Sequence, residues 1–207
     1  MTTQALPYVV LLGTLFGSTL IASRFGVGQF QATAYIGLRV VIASLSYGTI
    51  YIFNRNRRPW PHDPILWRHA ALLGIFGTAV PMVGIVSSLQ YLSSGVVAIL
   101  ISAGPALTIL MAHFFLTDEP LTRQKGIGVT LALCGASLIA LRGENGLAGV
   151  GQTNPVGYLL ILAALVGGNT MNIYARKYMR HLDTVDVASI RMWVAALVAL
   201  SGDLFQV

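Results

Sequence analysis

Residues 94–116 read SGVVAILISAGPALTILMAHFFL, a stretch of 23 residues without Asp, Glu, Lys or Arg. A helix needs about 20 consecutive apolar residues to cross the hydrocarbon core of a bilayer, whereas a buried helix of a soluble domain is usually interrupted earlier by charge. The stretch therefore predicts a transmembrane helix. Pro105 lies near its middle, where it predicts a kink because proline has no N–H to donate.

The composition of the whole chain extends this prediction. Of 207 residues, 55% are hydrophobic and 10% are charged, and the mean hydropathy is +0.72. A soluble domain carries roughly 25% charged residues, because its surface faces water. A soluble enzyme is thereby excluded, and so is a disordered polymer, which needs high charge and low hydrophobicity. The chain is predicted to be an integral membrane protein.

Seven apolar segments can be marked along the chain. Each is close to the length that crosses a bilayer as a helix, although the fifth is short. The predicted fold class is therefore an all-α polytopic membrane protein with about seven transmembrane helices. The segments are Pro7–Gly26, Ala32–Phe53, His69–Gln90, Ser94–Leu116, Gly126–Leu141, Pro155–Tyr174 and Val187–Val207.

The orientation follows from the basic residues, which gather in cytoplasmic loops of membrane proteins. With a cytoplasmic N-terminus, the outer connections receive only Arg24 and Arg142, whereas nine basic residues fall on the inner side. This bias explains the net charge of +6 without a nucleic-acid partner. The single Cys134 and the absence of a cleavable signal fit a bacterial inner (plasma) membrane. The nine inner residues are Arg55, Arg57, Arg58, Arg68, Arg123, Lys125, Arg176, Lys177 and Arg180.

An internal repeat is indicated by two pairs of arginines. Arg24 and Arg39 are 15 residues apart, as are Arg176 and Arg191, and the pairs are offset by 152 residues. The sixth and seventh spans thus look like a second copy of the first and second. Because one unit holds five spans, the copy enters the membrane upside down, as in many secondary transporters. We expect a first five-helix repeat at 1–142, an outer connecting loop at 143–154, and the first two helices of an incomplete second repeat at 155–207.

A family resemblance is carried by residues 89–98 (LQYLSSGVVA), by Pro105 and by residues 116–126 (LTDEPLTRQKG). Together they resemble the third-to-fifth-span signature of EamA-type proteins in the drug/metabolite transporter superfamily. Residues 17–18 (GS) and Arg39 also fit that pattern. The resemblance implies ten helices in two inverted five-helix repeats. The seven segments account for seven of them, so we expect a truncated sequence or an incomplete member.

The resemblance also implies a function. Members of this family move small metabolites or drugs, often outward, and we expect alternating access around a cavity near the midplane. The alternative is a truncated or degenerate membrane protein, a scaffold or subunit, without transport activity of its own. Neither reading is an enzyme. The expected partners are the lipid bilayer and an unidentified small-molecule substrate, and a homodimer or a partner chain also stays open.

The candidate residues for the substrate cavity are polar or helix-breaking groups inside the spans. Ser18 and Thr19 in the first span match the region of Asn169 and Asn172 in the sixth, and such groups either bond neighbouring helices or line a path. Pro105 and the adjacent Ser102 mark the bend of the fourth span. Proline frees a carbonyl that must find a partner or face a wet cavity, and Pro81 is expected to do the same near the middle of the third span.

Charged residues inside the spans have two interpretations. Arg39 and Arg191 either snorkel or bond the carbonyl ends of a neighbouring helix, or they attract an anionic group of the substrate. Glu119, at an inner boundary, is expected to cap a helix or to pair with Arg123 or Lys125. No Cys/His cluster has the spacing of a metal site and no nucleophilic set is present, so we expect no metal, no cofactor and no catalytic residue.

Small residues predict where helices approach closely. Gly13 and Gly17 have the small-xxx-small spacing that allows two membrane helices to pack backbone against backbone. We therefore expect another helix to lie against this face of the first span.

Overall fold

The computed structural model describes residues 6–27, 29, 32–53, 60–116, 119–143 and 154–204. Within these residues every regular element is helical, and seven stretches are long and apolar enough to cross a membrane. The all-α polytopic fold predicted from the sequence is thus confirmed. The helices are α1 (Leu6–Val27), α2 (Ala32–Phe53), α3 (Pro64–Gly74), α4 (Val80–Ser88), α5 (Ser94–Ser102), α6 (Gly104–Phe115), α7 (Arg123–Arg142), α8 (Pro155–Tyr178) and α9 (Thr184–Leu204).

Several helices begin or end outside the predicted apolar segments. The third span starts at Pro64 and not at His69, because the side chain of Asp63 accepts the N–H of Ile65 and caps the helix. The fifth starts at Arg123, behind the cap of Thr122. Polar caps and basic end turns extend a helix beyond the hydrocarbon core, and hydropathy alone does not register them. The sixth span likewise ends at Tyr178, and the seventh starts at Thr184.

Two of the spans are interrupted near their middles. The third contains a π-helical turn, Ile75–Ala79, between α3 and α4. The fourth breaks at Ala103, between α5 and α6, with Pro105 in the first turn of α6. A proline cannot donate to the preceding turn, so the break lies where the sequence predicted a kink. Pro81, in the first turn of α4 just beyond the π-helical turn, predicted a bend in the third span, but the π-helical form of the interruption was not predicted.

The centre of the molecule is formed by the third, sixth and seventh spans. The first core cluster joins α2, α4 and α9 through residues such as Val40, Val86 and Ala195. Another joins α4, α5 and α8, with Ile161 almost fully buried. A third joins α3 to the ends of α8 and α9 around Ile190. At Gly74, Gly77 and Gly84 of the third span, an added Cβ would crowd atoms of the sixth or seventh span, so these spans approach closely.

Helices α2 and α9 pack antiparallel. Trp193 Nε1 donates to the carbonyl of Ser44 at 3.1 Å, and Tyr51 Oη donates to Asp186 Oδ1 at 2.6 Å. The contacts advance seven residues along α2 while they move back seven along α9. Trp193 also stacks on Trp60, with ring centroids 4.8 Å apart, and this aromatic cluster, which includes Tyr51, joins the end of α2 to the middle of α9.

Helices α1 and α7 lie at the periphery. A Cβ built on Gly13 or Gly17 would meet no described atom within 4 Å, so the close approach predicted for this face of α1 is absent among the residues described. Part of the predicted organisation lies outside the described residues: Arg55, Arg57 and Arg58, and most of the connection 143–154. The described part therefore carries six of the nine basic residues assigned to the inner side.

Candidate functional site

A cleft of about 730 Å³ lies between α6 and α8. Its wall on α8 is one helix face, since the lining residues of α8 follow one another at spacings of three or four. Its wall on α6 begins at the break of the fourth span. The cleft is lined by Ile101, Gly104, Pro105, Thr108, Ile109, Glu119, Leu165, Asn169, Asn172 and Arg176.

The polar groups deepest in the cleft bond to one another. Thr108 Oγ1 lies 2.7 Å from Asn169 Oδ1 and 3.0 Å from the carbonyl oxygen of Gly104. Asn169 Nδ2 donates to the same carbonyl at 3.3 Å. Asn169 is 7% exposed, and a buried amide without partners would be costly. The network therefore holds Asn169 against the broken end of α6 and leaves Asn172, one turn along, exposed in the cleft.

An ion pair crosses the end of the cleft nearest the last turn of α8. Arg176 Nη1 lies 2.6 Å from Glu119 Oε1, and the two side chains are 54% and 37% exposed. Glu119 was expected to cap a helix or to pair with Arg123 or Lys125, and that prediction is wrong. Arg123 and Lys125 lie in the first turn of α7. The fold instead places the last turn of α8 across the cleft from Glu119, so that Arg176 is its partner.

The structure brings three of the predicted cavity residues together: Pro105, Asn169 and Asn172. Ser102 lies next to the break, but it is exposed and its hydroxyl donates to the carbonyl of Ile99 at 2.6 Å. The remaining candidates are elsewhere, as is Pro81 of the third span. The predictions missed Thr108, Glu119 and Arg176 as lining residues; Thr108 lies one turn after the break, which was the available signal.

The candidates on the first two spans do not line this cleft. Ser18 and Thr19 both donate to the carbonyl of Leu15, at 3.0 and 2.9 Å, within their own helix. Arg39 is half-buried on α2, which packs against α9 and α4 rather than against α6. Their assignment to a substrate path therefore stays a prediction.

Arg191 bonds to the π-helical turn of the third span. Its Nη2 donates to the carbonyl of Gly77 at 2.7 Å, and its Nε donates to the hydroxyl of Thr78. Of the two interpretations made from the sequence, the structure shows bonding to a neighbouring helix. Arg24 also bonds to a neighbouring span, where it donates to the carbonyl of Leu89 at the end of α4.

The described residues hold no group of three or more His, Cys, Asp or Glu that could bind a metal ion. The chemistry that this part of the chain offers a solute in the cleft is hydrogen bonding from amides and a hydroxyl, together with one ion pair.

A comparison with family models decides the family. The model of the EamA-like transporter family matches residues 3–141, the first five spans. The chain belongs to the EamA-like transporter family. The resemblance read from the sequence is thereby confirmed, and it covers the α5–α6 wall of the cleft.

The similar proteins are also transporters by name. An uncharacterized transporter of Archaeoglobus fulgidus is 29% identical over 132 residues, which are 64% of this chain and 46% of that protein. The uncharacterized transporter YoaV of Bacillus subtilis is 20% identical over 93% of this chain and 64% of its own length. The uncharacterized inner membrane transporter YedA of Escherichia coli is 27% identical over 84% of this chain and 55% of its own. The EamA-like chain thus spans about half to two thirds of these relatives, and no solved structure matches it.

Proposed function

We propose that this chain carries a small metabolite or drug outward across a bacterial inner membrane, with the solute bound in the α6–α8 cleft. The observation that carries the proposal is the cleft itself: about 730 Å³ of space at a helix break, lined by Asn169, Asn172 and Thr108 in an otherwise apolar span region. Polar groups at such depth are costly unless they bond a partner or face a wet cavity. Membership of a transporter family supports the same reading.

The proposed mechanism is alternating access between two inverted repeats. The antiparallel contact of α2 with α9 supports it, because helices related by a twofold axis in the membrane plane run antiparallel. If each residue of α2 is equated with the residue 152 positions later in α9, the antiparallel α2–α9 contact is symmetric under the exchange of the two helices. The centre of this symmetric contact lies near Ala43 and Ala195. Ala195 is fully buried, as expected for a residue at such a centre.

The proposed orientation places the N-terminus and the ends of α6 and α8 in the cytoplasm. Arg68, Arg123 and Arg176 support it, because they lie at the same face as the Glu119 end of the cleft, where an excess of basic residues marks the cytoplasmic side. Relatives include an inner membrane transporter. With this orientation the cleft runs from the middle of the membrane to the cytoplasmic surface.

We infer solute binding rather than catalysis. The deep groups of the cleft are two amides and a hydroxyl, and Asn169 and Thr108 are held by each other and by the carbonyl of Gly104. Such groups orient a solute through hydrogen bonds, but they do not make a nucleophile with an adjacent base, which hydrolytic or transfer chemistry needs.

The proposal is tested by comparing metabolites in bacteria. Cells that express the native protein are compared with cells carrying the empty vector, and solutes are quantified inside and outside by mass spectrometry. We expect at least one small solute to accumulate outside. In the variant N169L/N172L, which removes both amides of the cleft, we expect this export to fall by about fivefold or more, the loss of one to two hydrogen bonds to the solute.

The matched control is Thr130→Val. Thr130 is exposed on α7, a helix that contributes no residue to the lining of the cleft, and its hydroxyl donates to the carbonyl of Gly126 in its own helix. Export should be unchanged in this variant at equal membrane abundance. If the native protein exports no solute, the non-transporting alternative is correct; if export survives N169L/N172L, the cleft is not the binding site.

A further inference from the structure

We propose that the ion pair of Glu119 with Arg176 is a latch that closes the cytoplasmic end of the α6–α8 cleft. Along its side the cleft is open, since Pro105 and Asn172 are both exposed. At its end the pair joins the connection after α6 to the last turn of α8, the two elements that must separate for the end to open. The 2.6 Å contact between Oε1 and Nη1 crosses that gap.

The sequence around the pair makes this partnership specific. Lys177 is the next residue on α8, but its Nζ lies 5.7 Å from the ring centroid of Tyr178 and not on the carboxylate. Arg176 shares its helix face with Asn169 and Asn172, so it projects into the cleft. An arginine on this face reaches across the opening, whereas a basic residue one position later does not.

The exposure of the pair suits a latch that opens readily. Both side chains are more than a third exposed, and ion pairs in contact with water contribute little because water and salt screen them. A fully buried pair would instead be hard to separate, since each charge would lose its partner in an apolar medium. Breaking this pair should therefore shift the balance between closed and open ends by up to about fivefold.

The role of the latch rests on the proposed function, because it takes the cleft to be the solute path, but its effect on access can be measured without a substrate. The native Cys134, which is free and exposed, is first replaced by alanine. Asn172→Cys then places a thiol one turn above Arg176. The rate of its modification is measured in inside-out and right-side-out membrane vesicles with two membrane-impermeant methanethiosulfonates, one carrying a sulfonate and one a trimethylammonium group.

We expect Glu119→Gln and Arg176→Gln each to raise modification from the cytoplasmic side by up to about fivefold with both reagents. The charge-swapped variant E119R/R176E should return the rate toward that of the original pair. A thiol at Gln124, exposed at the start of α7, serves as the control and should react at the same rate in every background. Ile109→Cys is the second reporter, in case the change at Asn172 prevents folding.

The outcomes separate the latch from the proposed function. Equal cytoplasmic rates in all variants overturn the latch. Opposite responses to the two reagents overturn it as well, because they report only the change of local charge. If the cytoplasmic rate rises while the rate from the outer side falls in proportion, both latch and alternating access stand. If the cytoplasmic rate rises and the outer rate is unchanged, the latch stands and alternating access does not.

Discussion

Helices α1 and α8 hold equivalent places in the proposed repeat, yet their surroundings differ. Among the 18 most apolar consecutive residues of each span, 6% are buried in α1 and 28% are buried in α8. The reason is the set of neighbours: α8 packs along α4 and α6, whereas α1 contacts α2, α4 and α5 only sparsely. Two similar apolar helices can thus be a core element and a peripheral one, and the role of each polar residue follows its neighbours.

Their glycines show the same difference at atomic scale. A Cβ on Gly157 of α8 would lie 2.8 Å from Tyr91 Cβ and 2.9 Å from Leu92 Cγ, both closer than side-chain atoms approach, whereas Gly17 of α1 has open space. A small residue is therefore needed where a neighbouring segment, here the connection between α4 and α5, is in contact. The small-xxx-small spacing of α1 indicates a surface on which another helix could pack closely. Whether a helix packs there depends on the neighbours that the fold supplies.

The sharpest test of this comparison uses two isoleucines that occupy equivalent positions in the two helices. Ile173 on α8 is 5% exposed and Ile21, its counterpart at the offset of 152, is 57% exposed. We expect Ile173→Ala to lower the free energy of unfolding by about 2 kcal/mol or more, because it leaves a cavity that neighbours cannot fill. Ile21→Ala should change it by less than about 0.5 kcal/mol. Thermal unfolding in a mild detergent compares the two, and equal losses would show that α1 is packed as closely as α8.

A second, smaller contrast lies between the arginines of the two repeat copies. Arg191 donates to Gly77 and Thr78, whereas no hydrogen bond joins Arg39 to another residue of the described chain. In Arg191→Gln we expect a loss of about 1–3 kcal/mol, because a carbonyl of the π-helical turn loses its donor. The amides of residues 75–80 should then exchange with deuterium faster, which mass spectrometry of the matching peptide detects.

Arg39→Gln is the control for this prediction and should leave both the stability and the exchange of residues 75–80 unchanged. If Arg39→Gln has the larger effect, then Arg39 and not Arg191 holds the third span. If neither variant alters exchange, the π-helical turn is stable through its own backbone bonds.

The spans and their order could be predicted from the sequence, because an uncharged run of about 20 residues has one solution in a bilayer. The break at Ala103 was also predictable, since Pro105 removes a donor. The exact helix ends were not, because caps such as Asp63 and Thr122 lie outside the apolar runs. The π-helical turn leaves no mark in hydropathy, because one extra residue in a turn hardly changes the mean hydropathy of a span of 25 residues.

The site was predictable only in part. Asn169 and Asn172 stand out as amides in an apolar helix, and their spacing places them on adjoining turns. Their partners do not stand out, because Thr108 meets Asn169 across 61 residues and Glu119 meets Arg176 across 57. Local charge spacing pointed Glu119 to Arg123 or Lys125 instead. Pairings across helices depend on which helices pack together, and one sequence does not specify that.

The smallest expected effect concerns the hydrogen bond between Thr108 and Asn169, which must break if a solute is to bind Asn169. A double-mutant cycle of Thr108→Val and Asn169→Leu should give a coupling energy of about 0.6 kcal/mol in thermal unfolding, the usual strength of a hydrogen bond between membrane helices. A control cycle on α1, Thr14→Val with Thr19→Val, should give none, since each hydroxyl donates within its own helix to a different carbonyl, those of Val10 and Leu15. A coupling this weak has a functional consequence: a solute can replace Thr108 as the partner of Asn169 at little cost. A coupling of several kcal/mol would mean that the pair stays closed, and solute binding would then depend on Asn172 alone.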